Sequence, residues 1–232
     1  FPLLIKIIDA KEDLSIQVHP DDCYAAECEN GSLGKTECWY VLDCDENATI
    51  IIGHHAKDKA EMKQMIEQKR WTEFLREIPV KKGDFFQIEP GTLHAIKGGT
   101  LILETQQNSD ITYRVYDYDR KQNGQLRPLH LKQSLDVLKA PFILHTQNNI
   151  ESSLKAPGIT CLENCRYYTV WKIDVTGKTQ FEAPAPFMLL SVVEGFGEIN
   201  GILIKKGDHF ILPSGYGPVT LTGKPKLIAS TP

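Results

Sequence analysis

The chain has 232 residues, 41% hydrophobic and 24% charged, an ordinary composition for a soluble protein of one large β domain or two smaller ones. A net charge of -4 speaks against a general affinity for nucleic acid, which needs a surplus of Lys and Arg. No run approaches the roughly 20 apolar residues of a membrane helix and no signal peptide is evident, so a cytoplasmic protein with no nucleic-acid or membrane partner is expected.

The first residue is Phe1 rather than Met, and FPLLIKIIDA already reads as a buried strand, which predicts an upstream stretch beyond the present sequence. Strand-like runs then follow in chain order: SIQVH, CWYVL, ATIIIG, DFFQI, TLILET, ITYRVYDY, YTVWKIDV, FMLLSVV, HFILP and KLIAS. They are short, rich in β-branched and aromatic residues, and bounded by Gly, Pro, Asn or Asp. Two segments differ. Residues 57–76 space Met62, Met65, Ile66, Phe74 and Leu75 as a helix does, and residues 129–139 read as a second short amphipathic helix ended by Pro141. Both are expected on the outside of a sheet. The cysteines Cys23, Cys28, Cys38, Cys44, Cys161 and Cys165 form no C-x-x-C pair and no disulfide framework, and are read as reduced.

VKKGDFFQIEPGTLHAI at 80–96 is echoed by IKKGDHFILPSGYGPVTL at 204–221. Such self-similarity predicts two copies of one β module, each a small barrel-like sandwich. The predicted division is 1–120 for the first module with a helical insertion at 57–76, 121–160 for a connector with a short helix, and 161–232 for the second. The copies are unequal. His94 lies eleven residues after Gly83, and eleven after Gly207 stands Pro218, which offers no nitrogen to a metal. The chemistry is therefore expected in the first half.

Gln17, His19, Glu37 and His94 are the candidate metal ligands. Gln17 and His19 are two apart on a strand and so share a face. Glu37 shares a face with Lys35, and His94 follows a Pro-Gly turn that fixes the chain direction before it. Imidazole nitrogens, a carboxylate and a neutral amide oxygen suit zinc, or a harder metal such as iron or manganese, and an open position would make the site catalytic.

Together these motifs resemble the type I mannose-6-phosphate isomerases, in their shorter bacterial form with a two-cupin body. The matching stretches are FPLLIKIIDAKEDLSIQVHPDD, LGKTECWYVLD, GDFFQIEPGTLHA, LILETQQNSDITYRVYDYDR and GDHFILP. The resemblance implies a mainly β fold of two cupin (double-stranded β-helix, jelly-roll) modules with a few peripheral helices. It implies one Zn2+ per chain on Gln17, His19, Glu37 and His94, with Gln17 the ligand that some short members lack. The implied activity is interconversion of mannose 6-phosphate and fructose 6-phosphate through an enediol. The partner is then a small sugar phosphate, bound by a monomer or a homodimer. Arg114 matches the family's active-site arginine, to stabilise enediolate charge or hold phosphate. Lys35 and Lys6 match lysines of the substrate pocket, with a phosphate role for each and a cross-strand salt bridge as the alternative for Lys6. Asp110 and Glu104 are carboxylates placed to move protons. Two other functions compete: an iron-dependent cupin oxygenase, since two His and a carboxylate also form the non-haem iron triad, and a sugar-binding cupin without catalysis.

Overall fold

The structure, a computed structural model, describes residues 1–145, 154–184 and 186–232. Its chain contacts divide it into two compact units, Phe1–Thr146 and Gln147–Pro232. In the first unit lie β1 (Leu3–Ala10), β2 (Ile16–Val18), β3 (Glu37–Cys44), β4 (Thr49–His54), β5 (Leu75–Pro79), β6 (Phe85–Ile88), β7 (His94–Ala95), β8 (Thr100–Gln107), β9 (Tyr113–Tyr116) and the small hairpin of β10 (Lys121–Gln122) and β11 (Gln125–Leu126). Its helices are α1 (Asp22–Cys28), α2 (Lys59–Glu67), α3 (Trp71–Phe74) and α4 (Leu131–Val137). The second unit holds β12 (Ile159–Asn164), β13 (Thr169–Asp174), β14 (Gly177–Glu182), β15 (Met188–Glu194), β16 (Phe196–Ile199), β17 (Ile202–Lys205), β18 (His209–Leu212), β19 (Pro218–Gly223) and β20 (Lys226–Thr231).

Each unit is a pair of antiparallel sheets. The first has the orders β1-β8-β3-β6 and β5-β4-β7-β2-β9, and the second has β12-β13-β20-β15-β18 and β14-β19-β16-β17. Adding twelve to each strand number turns β1-β8-β3-β6 into β13-β20-β15-β18, and β5-β4-β7-β2 into β17-β16-β19-β14. The repeat heard in K-K-G-D is thus a repeat of eight strands in identical topology.

Period-two alternation builds these strands. In β14, Thr179 and Phe181 are buried while Lys178, Gln180 and Glu182 are exposed. In the first unit, one core joins Trp39, Val41, Ile88 and Ile102 of one sheet to Ile50 and Ile52 of the other. A second core lies on the outer face of the sheet containing β2, where Ile16, Val18, Ala95, Tyr113 and Val115 meet Met62, Met65, Ile66, Phe74 and Leu138. The helices therefore cover the outside of a sheet, and β2 and β9 turn their alternate residues, Gln17 and Arg114, to the opposite face.

The helix expected over 57–76 is shorter and broken. Asp58 caps α2 by accepting from the Glu61 N–H, and the Glu61 carboxylate accepts from the Lys57 N–H. Lys69, at φ 54, ends the run in a left-handed turn, and after α3 residues Leu75–Pro79 pair with β4 as a strand. Trp71 stacks on Tyr116, with centroids 4.6 Å apart, and fixes α3 to β9. The expected 129–139 helix is α4, and its partners in the second core place it, with residues 121–145, in the first unit. The expected connector at 121–160 is thereby divided, and 146–153 fall outside the described residues. None of the six cysteines is in a disulfide among the described residues. No helix among the described residues is long and apolar enough to cross a membrane.

Candidate metal centre

Strand register carries the donors to one place. In the β7-β2-β9 ladder, His94 stands opposite Gln17 and Gln17 opposite Arg114, so the three side chains form a row on one face. On the facing sheet Glu37 stands opposite Gln106, and Trp39 opposite Glu104, which itself faces Lys6. A turn over Pro90-Gly91, closed by the Thr92 N–H on the Glu89 carbonyl, aims His94 inward. Gly91 is required there: its φ is +83, and a Cβ would lie 2.7 Å from the Val137 carbonyl oxygen.

His19, Glu37 and His94 are buried, and each offers an atom within 4.8 Å of the others. His19 Nδ1 lies 2.8 Å from the Ile111 carbonyl and His94 Nδ1 lies 2.9 Å from the Thr92 carbonyl. A carbonyl can only accept, so both Nδ1 atoms carry the proton, and in the neutral rings that a metal requires both Nε2 atoms present lone pairs. Those lone pairs face Glu37, His19 Nε2 at 3.4 Å from Oε2 and His94 Nε2 at 3.3 Å from Oε1. Acceptors brought together without a proton between them repel unless a cation sits among them. Glu37 Oε2, fully buried, meets no donor in hydrogen-bond geometry, and its nearest charge is the Lys35 ammonium at 2.6 Å. Ligands about 2.1 Å from a tetrahedral zinc lie about 3.4 Å from one another, close to the two imidazole-to-carboxylate separations. The donor set therefore fits a divalent cation.

Gln17 Nε2 is 3.3 Å from His94 Nε2, and Ser15 donates to Gln17 Oε1 at 3.4 Å. The same amide turned end for end presents its oxygen to the cluster. Lys35, itself buried, also reaches His19 Nε2 at 3.2 Å. Burial would raise the Glu37 carboxyl, but the Lys35 ammonium beside it holds it well below the usual carboxylate range. Burial pushes His94 down to about 3, so its imidazole is neutral and free to ligate.

Beside the cluster, Trp39 Nε1 bridges two carboxylates, Glu37 Oε1 at 3.1 Å and Glu104 Oε2 at 3.2 Å. Lys6 donates to Glu104 Oε1 at 2.9 Å and to Gln106. Burial and the Glu37 charge raise the Glu104 carboxyl, against the pull of Lys35 and Lys6. Asp110 is exposed, unlike Glu104. Sequence reading passed over Trp39 and Gln106, although alternation from Glu37 puts Trp39 on its face. It also passed over Asp117, Arg120 and Arg127, which gather near Arg114 from outside the strand pattern.

Among the described residues the second unit has no such cluster. On β15, Met188 stands opposite Leu212 as Glu37 stands opposite Ile88, and on β14 and β19 the pair Phe181 and Val219 stands where Gln17 faces His94. All four second-unit residues belong to its apolar core. The repeat alignment set Pro218 against His94, but Pro218 is exposed and its neighbour Val219 faces inward, because the intervening loop runs differently.

Residues 1–47 match phosphomannose isomerase type I, catalytic domain, and residues 158–232 match mannose-6-phosphate isomerase, cupin domain. The chain is 50% identical to mannose-6-phosphate isomerase ManA of Bacillus subtilis over 99% of its own length and 75% of that protein. It is 48% identical to mannose-6-phosphate isomerase of Streptococcus mutans over 99% of its length and 74% of the relative. The crystal structure of a Bacillus subtilis mannose 6-phosphate isomerase superposes with a TM-score of 0.94 at 46% identity, covering 100% of this chain and 76% of that one. The two-cupin chain belongs to the type I mannose-6-phosphate isomerase family and is an isomerase of that kind.

Proposed function

We propose that His19, Glu37, His94 and Gln17 hold one zinc ion, and that the chain interconverts mannose 6-phosphate and fructose 6-phosphate through an enediol. The observation that carries the reading is the convergence of two Nε2 lone pairs on the Glu37 oxygens. Bound there, zinc supplies a fixed positive charge beside the sugar oxygens as a Lewis acid. The chain's own groups do the rest. Glu104, buried and with its affinity for a proton raised, takes the proton from C2 as the C1–C2 double bond forms and returns one to C1. The C1 carbonyl becomes a hydroxyl and the C2 hydroxyl becomes a carbonyl. Lys6, by its ion pair with Glu104, keeps that carboxylate available as a base. Trp39 holds Glu37 and Glu104 in fixed orientation through its single N–H.

Lys35 lies within the ligand cluster and belongs with the oxygens at the reacting end of the sugar. Lys6 is engaged with Glu104, the cross-strand pair that was its alternative. Both ammoniums are committed to carboxylates, which leaves Arg114 as the phosphate contact among the groups singled out from sequence. The identity of the relatives as mannose-6-phosphate isomerases favours an isomerase over a cupin oxygenase.

The enediol is tested by running the reaction in deuterium oxide. Solvent deuterium is expected at C1 of fructose 6-phosphate and C2 of mannose 6-phosphate. No incorporation over many turnovers would show a direct hydride shift and remove Glu104 from the chemistry.

A further inference from the structure

Arg114 is under-satisfied where it stands. Its Nε is buried without an acceptor among the described residues, and its one side-chain hydrogen bond, Nη1 to the Pro128 carbonyl, is 3.4 Å long. Its backbone is anchored twice to His130, whose N–H donates to the Arg114 carbonyl at 2.8 Å and whose Nδ1 accepts from the Arg114 N–H at 3.1 Å. The segment running from Arg127 to His130 is therefore laid directly along Arg114. Burial, and after it the charge of Arg127, lower the Arg114 pKa, as expected for two guanidiniums crowded together.

Asp117 organises the neighbours. Arg120 is fully engaged: it donates to the Asp117 carboxylate, to the Asp117 carbonyl at 3.2 Å and to the Asp13 carbonyl at 2.6 Å, and it lies over the Tyr118 ring at 5.3 Å. Among the described residues the Arg127 side chain has only the shared Asp117 carboxylate, Nη1 being 3.3 Å from Oδ2. Three guanidiniums against one carboxylate leave a charge of three minus one, or +2. A phosphate monoester carries about -1.5 to -2 at pH 7 and accepts paired hydrogen bonds from a guanidinium fork. Arg114 is two strands from His94, about 10 Å across the ladder, as an open-chain sugar with its carbonyl at one end and its phosphate at the other requires.

We propose that Arg127 joins Arg114 in a two-arginine fork for the 6-phosphate, and that Arg127 decides between phosphorylated and free hexose. This deepens the isomerase reading and rests on it. Asp117 holds Arg127 against repulsion from Arg114, and the phosphate supplies the acceptors that Arg114 lacks.

The test uses the zinc-loaded chain and its Arg127→Gln and Arg127→Lys variants. Calorimetric titration with inorganic phosphate needs no turnover, so it stands apart from the proposed chemistry. Arg127→Gln is expected to bind phosphate about 10- to 100-fold more weakly and to raise KM for mannose 6-phosphate by a similar factor. Its kcat, zinc content and thermal midpoint should be unchanged, and Arg127→Lys should recover part of the phosphate affinity. Wild-type chain that does not bind phosphate, or Arg127→Gln that binds it as well as wild type, overturns the proposal. So does loss of zinc or of thermal stability in Arg127→Gln, which would mark a structural role. If phosphate binding depends on Arg127 while chelation leaves turnover intact, the fork stands and the zinc reading falls.

Discussion

Two histidines that give their Nδ1 protons to the carbonyls of Ile111 and Thr92 have only lone pairs left for Glu37, and Trp39 directs its N–H at the same carboxylate. That arrangement is stable only with positive charge among the acceptors, and the ammonium of Lys35 supplies one charge where a divalent ion supplies two. His94→Ala is expected to lose bound metal and to cut turnover on the order of 10³-fold or more, read by metal analysis and steady-state kinetics. Full activity at unchanged metal content would refute the site. Lys6→Gln removes a charge that lowers the Glu104 pKa, so that pKa should rise further. A base is lost as pH falls through its pKa, so the acidic limb of kcat/KM should move to higher pH. An unmoved limb would exclude Glu104 as the base. At this scale the gathering of His19, Glu37 and His94 was legible, because each sits in a motif whose spacing survives folding. Arg127 was not, since only the return of the chain after β11 brings it beside Arg114.

At the scale of elements, Gly53 closes β4 at φ +86, and a Cβ there would lie 2.3 Å from the Phe142 ring. Gly53→Ala should therefore cost about 1–3 kcal/mol in backbone strain alone, and more with the ring displaced. The thermal midpoint should fall by roughly 3–10 °C, and by less in a Phe142→Ala background. Equal losses in both backgrounds would show that the ring plays no part. His54, stacked on Phe74 and bound to the Lys139 carbonyl, is held by burial below its ordinary pKa. In the unfolded chain it gains a proton near pH 6.5, so acid favours unfolding, and the stability it contributes is present above that pH and lost below it. His54→Gln should show a shallower fall in midpoint between pH 7.5 and 5.5, and an identical slope would remove His54 from the account. Strands that run as short apolar stretches bounded by polar residues, such as β3, β8 and β20, were readable from the sequence although they are buried on both faces rather than alternating. The helix over 57–76 was over-extended, because apolar spacing continues through Trp71–Leu75 while Lys69 takes a left-handed conformation that periodicity cannot register. Strand β7, two residues long, carries His94 yet is too short to leave a pattern.

Across the whole molecule, one eight-strand plan is used twice with different contents. The interior of the first unit is given over at one end to His19, Glu37, His94 and Glu104, while the matching faces of the second carry Met188, Phe181 and Val219. With the proposed zinc bound, the polar groups gathered in the first unit would tie its stability to the metal, and the apolar core of the second would not share that dependence. Zinc at a hundred times its Kd adds about 2.7 kcal/mol to the unit that binds it. Calorimetry should therefore show one transition that falls on chelation and one that does not; two transitions falling together would place metal-linked stability in both units. The repeat was audible in K-K-G-D, and its one-residue slip at Pro218 and Val219 was not, because loop length sets it. The most direct measurement of the central claim is an enzyme-linked assay with mannose 6-phosphate on the same preparation before chelation, after chelation and after one equivalent of zinc per chain. The account predicts activity, its loss, and its return with stoichiometric zinc bound. Turnover that persists in chain shown to be free of metal would contradict it.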